Sequence, residues 1–262
     1  MTVLAELLRR QRALALYGLA LLPLAALAFA LQAIDPRTIG DINVWMKPAK
    51  FLVSTAIFAL TAAWFFGYVR PERRASRAMR SMVAALIASA TFELGWIAWQ
   101  SAHGVGSHFN DSTLLDGIMF SLMGLFAIVL VATTLPLAWE IGRRPLAGLA
   151  PNFVAAVVIG LVFTFLLGGG MGVYLAANGG HSIGAEGGHV PVFGWNRSGG
   201  DLRPAHFLGI HAQQIIPILA ALTFILSARL RRPALAAGIL AFVAVTFALF
   251  AQALAGQPLL PL

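Results

Sequence analysis

Residues 9–34 read RRQRALALYGLALLPLAALAFALQAI: three arginines within four positions, then an uncharged apolar run from Leu14 to Ile34. About 20 such residues are what a helix needs to cross roughly 30 Å of hydrocarbon. The motif of basic flank and apolar run recurs along the chain, which is 59% apolar and only 11% charged. A soluble fold has no use for so many uninterrupted apolar stretches. Seven spans are predicted, at about 14–34, 48–69, 82–101, 114–139, 153–177, 204–228 and 235–254, forming one all-α transmembrane domain over residues 1–262.

The arginines orient these spans. Arg9, Arg10 and Arg12 precede span 1; Arg70, Arg73, Arg74, Arg77 and Arg80 lie between spans 2 and 3; Arg143 and Arg144 between spans 4 and 5; and Arg229, Arg231 and Arg232 between spans 6 and 7. These thirteen of the eighteen Lys and Arg residues fall in alternate connections, as a cytoplasmic amino terminus and an outer carboxyl terminus require. The net charge of +8 is therefore a topology signal, and nucleic acid is not implied as a partner. The expected location is an inner membrane, with the lipid bilayer as surrounding partner. Span 1 superficially resembles a cleavable signal peptide, but its apolar run is longer than a signal core, which favours an uncleaved anchor.

All six histidines fall on the opposite, outer side, at 103, 108, 181, 189, 206 and 211. Span 3 adds Glu93 and Gln100, seven residues apart and hence on nearly the same helix face. Glu93 lies about ten residues, or roughly 15 Å, below the outer end of its helix, where a carboxyl is costly unless paired, protonated or wet. Span 2 opens with Lys47-Pro48-Ala49-Lys50, the only two lysines in the chain. Lys47 is expected to snorkel to the headgroups, and Lys50 to seek Glu93, Asp116 or Asp41 as an ion-pair partner. Asp116 is expected in the first turn of span 4, behind a Ser112 or Thr113 cap.

Span 6 concentrates polar groups in its outer half: Arg203, His206, His211, Gln213 and Gln214 precede Pro217. His206 and His211 point about 140° apart on a straight helix, so the helix is expected to bend or each imidazole to work with other spans. Before it runs NGGHSIGAEGGHVPVFGWNRSGGDLR, residues 178–203, with eight glycines. This segment is either a flexible loop or a cap anchored by Trp195, Val190, Val192 and Phe193. Gly168-Gly169-Gly170-Met171-Gly172 in span 5 suggests close helix packing or local unwinding rather than a nucleotide site.

These residues predict an outward-opening polar cavity. The leading expectation is a metal-binding membrane enzyme acting on a lipidic or periplasmic substrate. In it His103, His108, His206 and His211 hold a divalent ion such as zinc, copper or iron, Glu93, Lys50 and Asp116 carry the chemistry, and Gln100, Arg203, Gln213 and Trp195 contact a lipidic or small-molecule ligand. The alternatives are metal-free acid/base chemistry, a haem or quinone redox protein with His103 and His206 or His211 as axial ligands, and a proton-coupled transporter, channel or sensor. No HExxH or phosphate-binding glycine loop is present.

Overall fold

The computed structural model describes residues 2–261 and is mostly helical. Among the described residues six helices are long and apolar enough to cross a membrane, or seven if one bent pair counts as a span. The chain forms two compact units: residues up to Gly67 with Arg74–Thr133, and Tyr68–Arg73 with Thr134 onward.

In the first unit, α1 (Val3–Arg10) is capped by the Thr2 hydroxyl and ends at Gln11, whose extended backbone separates it from α2 (Arg12–Ile34). Helices α2 and α3 (Met46–Phe66) share the most extensive contact of the unit. Small residues permit it: Ala15 and Ala25 on α2 and Ala56, Ala59 and Ala63 on α3 are buried. A methyl added to Gly18 would come within 2.8 Å of the Leu60 side chain. The α2–α3 connection holds a small antiparallel hairpin, β1 (Thr38–Ile39) with β2 (Ile42–Asn43). Asp35 ties it down, accepting hydrogen bonds from Arg37 Nε and Trp45 Nε1. Those two partners hold its carboxyl well below the usual carboxylate range. A short helix α4 (Pro71–Arg74) precedes α5 (Arg77–Ala102), which is capped by Ser76, and the unit closes with α6 (Leu114–Ala132), capped by Thr113.

Besides Tyr68–Arg73, the second unit contains α7 (Thr134–Arg143), which prolongs the α6 span four residues past its expected end at Trp139. The extension carries Glu140, whose carboxylate is met by Arg73 at 2.6 Å and Arg144 at 3.7 Å, so the helix continues with its acid satisfied. Next come α8 (Pro151–Phe163), a π-helical turn at Thr164–Gly169, and α9 (Gly170–Ala177). The span expected at about 204–228 is two helices, α10 (Arg203–Ile210) and α11 (Ala212–Leu222), bent by 60° at His211. Helix α12 (Ala228–Leu254) packs Leu235 and Phe242 into a core with Ala156, Ala212, Ile216 and Ala220.

The glycine-rich segment is folded. Strands β3 (Ser182–Ile183) and β4 (Gly200–Asp201) pair antiparallel, and His189 bridges Asn196. Asn196 is 2% exposed and organises the turn: its Nδ2 donates to the Ala185 carbonyl at 2.7 Å while its Oδ1 accepts from the backbone N–H groups of Gly187 and Ser198. Asp201 accepts from Asn196 N and from Arg203. Gly200 sits so close against the Ala253 carbonyl that no side chain fits there.

Candidate functional site

The eleven site residues expected from sequence divide between the units: Lys50, Glu93, Gln100, His103, His108 and Asp116 in the first, and Trp195, Arg203, His206, His211 and Gln213 in the second.

In the first unit α5 presents Ser89, Glu93 and Gln100 on one face, all within about 40° of one another. They are 1%, 6% and 5% exposed. Gln100 Nε2 donates to Asp116 Oδ1 at 2.8 Å, and the Asp116 carboxylate also accepts from Thr113 and Ser112 hydroxyls at 2.6 and 3.2 Å. Asp116 is thus both the expected cap partner and the anchor of the stripe. Deeper along α5, Glu93 Oε1 and Ser89 Oγ have no hydrogen-bond partner among the described residues. They sit one helical turn apart in an apolar helix, where an unpaired polar atom carries a desolvation cost.

Lys47 changes the reading of this unit. Instead of simply reaching for headgroups, its Nζ lies 2.9 Å from His108 Nδ1. The connection from α5 to α6 makes this contact: Phe109 adopts a left-handed backbone (φ 57°) beside His108, and the imidazole stands among Phe51, Phe109 and Phe120 at centroid distances of 6.1–6.3 Å. Ser107 Oγ is 3.2 Å from the same Nδ1. Lys50 is half-buried on α3, one turn after Lys47. His103 departs from expectation: it is exposed at the end of α5, with Nδ1 2.8 Å from the Trp99 carbonyl and its ring against the Trp99 indole. As the capping residue it continues the outward turn of α5 and stays out of the buried stripe.

In the second unit the backbone itself is opened. The π turn and the bend at His211 each leave helix hydrogen-bonding groups without their usual partners. Thr164, fully buried, repairs two of them: its Oγ1 donates to the Ile210 carbonyl at 3.2 Å and accepts from Gln213 N at 3.0 Å. His206 Nδ1 lies 2.9 Å from the Gly168 carbonyl. That pairing requires a proton on Nδ1 and leaves Nε2 as the acceptor nitrogen. His211 Nδ1 is 3.3 Å from Gln214 Oε1, as the one-turn spacing predicted. So both alternatives for this helix hold: it bends, and His206 engages a different segment.

Glycines make the approach feasible. A methyl on Gly168 would lie 2.8 Å from Ile210 N, one on Gly209 2.6 Å from Gly168 N, and one on Gly172 2.8 Å from His206 Cε1. The glycine run of span 5 is therefore both close packing and local unwinding. Gln213 is fully buried, and among the described residues neither its Oε1 nor its Nε2 has a hydrogen-bond partner. Arg203 is engaged structurally: it pairs with Asp201 and donates to the Gly194 carbonyl at 2.6 Å. Burial opposes the Asp201 anion, but Arg203 and the backbone N–H groups of Asn196 and Arg203 outweigh it and hold the carboxyl below its ordinary range. Trp195 stacks on Phe193 at 4.5 Å and meets Phe207 edge-on, anchoring the segment onto α10.

Among the described residues no three His, Asp or Glu side chains are grouped as a metal ion requires, so the expected histidine cluster is not seen there. Sequence reasoning missed Lys47, Ser89 and Thr164. Ser89 was legible, since it precedes Glu93 by four residues on the same helix face. No protein family, characterised protein or solved structure matches the chain.

Proposed function

We propose that the protein is an inner-membrane transporter of the proton-coupled class, in which Glu93 binds and releases the proton. The chain crosses the membrane seven times, with α10 and α11 forming one bent span, the amino terminus in the cytoplasm and the site facing the periplasm. The carrying observation is the pair of buried, unpartnered atoms Glu93 Oε1 and Ser89 Oγ on one face of α5. A buried carboxyl oxygen without a partner in an apolar helix is costly as an anion, the condition under which a carboxyl takes up a proton and gives it back. Lys47 and His108, set among Phe51, Phe109 and Phe120, suit a small anionic solute with an apolar body. Protein reconstituted in vesicles with an internal pH dye should acidify them under an inward proton gradient, and Glu93→Gln should abolish the signal while keeping the thermal transition. Unchanged flux in Glu93→Gln would remove Glu93 from the function.

A second reading, a metal-binding enzyme acting on a lipidic substrate, is favoured by His206, whose Nδ1 hydrogen bond to a backbone carbonyl is the arrangement that orients metal-bound imidazoles through Nε2. It predicts stoichiometric zinc, copper or iron in purified protein, and its loss in His206→Ala.

A further inference from the structure

Helix α1 is two-faced. Val3, Leu4, Leu7 and Leu8 form one side, with Val3 68% and Leu4 49% exposed, while Glu6, Arg9 and Arg10 form the other at i, i+3 and i+4 spacing. Glu6 holds both arginines, accepting from Arg9 Nε at 2.8 Å and Arg10 Nε at 2.7 Å. Those contacts depress its pKa to about 2, so it is an anion at any working pH.

The same place gathers a third guanidinium. Arg10 donates to the Trp64 carbonyl at 2.7 Å and lies over the Trp64 indole at 4.1 Å, and its side chain presses on Gly67, where an added methyl would come within 2.6 Å. Arg74 donates to the Gly67 carbonyl at 2.8 Å, with Arg9 and Arg10 in electrostatic reach. Both arginines thereby cap the carboxyl end of α3, where a helix welcomes cations. Three guanidinium groups against one carboxylate leave the group at +2 (3 − 1), beside an exposed apolar helix face.

The geometry points to a binding site for the phosphate of an anionic lipid headgroup, formed by Arg9, Arg10 and Arg74, with α1 lying in the plane of the interface and Val3 and Leu4 at the acyl boundary. The charge excess selects the lipid, and the apolar face of α1 distinguishes a lipid from free phosphate. Glu6 competes with the phosphate for Arg9 and Arg10, so it limits the affinity of the site.

Full-length protein in zwitterionic detergent, titrated with phosphatidylglycerol or phosphatidylcholine and read by native mass spectrometry, tests this. Phosphatidylglycerol should be retained preferentially, and Arg74→Gln should weaken retention about fivefold, the contribution of one basic residue near an anionic surface. Glu6→Gln should instead raise retention above wild type, a gain that misfolding does not produce. Equal retention of the two lipids, or weaker retention in Glu6→Gln, would overturn the assignment. Displacement of the lipid by inorganic phosphate at equal concentration would also overturn it.

Discussion

Where the first unit is polar its helices stay continuous, and where the second is polar they break. Helix α5 runs unbroken from Arg77 to Ala102 and meets the outer end of its stripe with a side chain of another segment, Asp116 for Gln100, leaving Glu93 Oε1 and Ser89 Oγ without a partner among the described residues. The second unit interrupts α8–α9 with a π turn and α10–α11 with a 60° bend, then repairs the exposed backbone with Thr164 and His206. The two solutions differ in what they demand of sequence. Side-chain pairing needs partners at the right height, whereas an opened backbone needs glycine at each contact so that the repairing groups come close enough.

Crowding the second unit should have the largest effect. Gly168→Val places a branched side chain against the Ile210 backbone and should destabilise that unit by roughly 3 kcal/mol or more, the upper end of overpacking. A fall in the thermal transition of detergent-solubilised protein measures it, and a wild-type transition would mean the backbones are not in contact.

Thr164→Val keeps the shape but orphans the Ile210 carbonyl and Gln213 N–H, a loss of roughly 1–3 kcal/mol. Hydrogen exchange at Gln213, read by mass spectrometry, should accelerate; protection equal to wild type would show that the bend does not depend on this hydroxyl.

Acid should act next, on the segment joining α9 to α10. The Asp201 carboxyl is held below its ordinary range, so its contribution is fully present above the unfolded pKa of about 3.9 and is lost as pH falls through the lower folded value. Trp195 fluorescence should report release of the segment below about pH 4, and Arg203→Gln should move that release to higher pH. A pH midpoint indifferent to Arg203→Gln would dismiss the ion pair as its support.

The smallest change sharpens the contrast from the other side. Gly95 on α5 has open space where a methyl would go, so Gly95→Ala should stabilise the first unit by about 0.5–1 kcal/mol through helix propensity.

What the sequence made legible follows from these differences. Membrane-length helices could be placed within a few residues because the hydrocarbon requirement is written in composition alone. Asp116 and its Thr113 cap were legible because capping is local. Gln214 beneath His211 was legible because one helical turn relates them. The Lys47–His108 contact was not, because it depends on the left-handed turn at Phe109, a tertiary event between residues sixty-one positions apart. The bend was one of two alternatives drawn from the conflicting directions of His206 and His211, but its location was not legible: the break falls at His211, where Thr164 can serve both exposed groups.

The contact between Gly200 and the Ala253 carbonyl also sets an order of events during synthesis. Ala253 belongs to α12, so the β3–β4 strap cannot settle until that helix has left the ribosome. Until then β3, β4 and α10 lack the helix they pack against, and Trp195, seated on Phe207 of α10, shares that delay. A ribosome-stalled chain ending before α12 should therefore show Trp195 open to quenchers that the finished protein excludes.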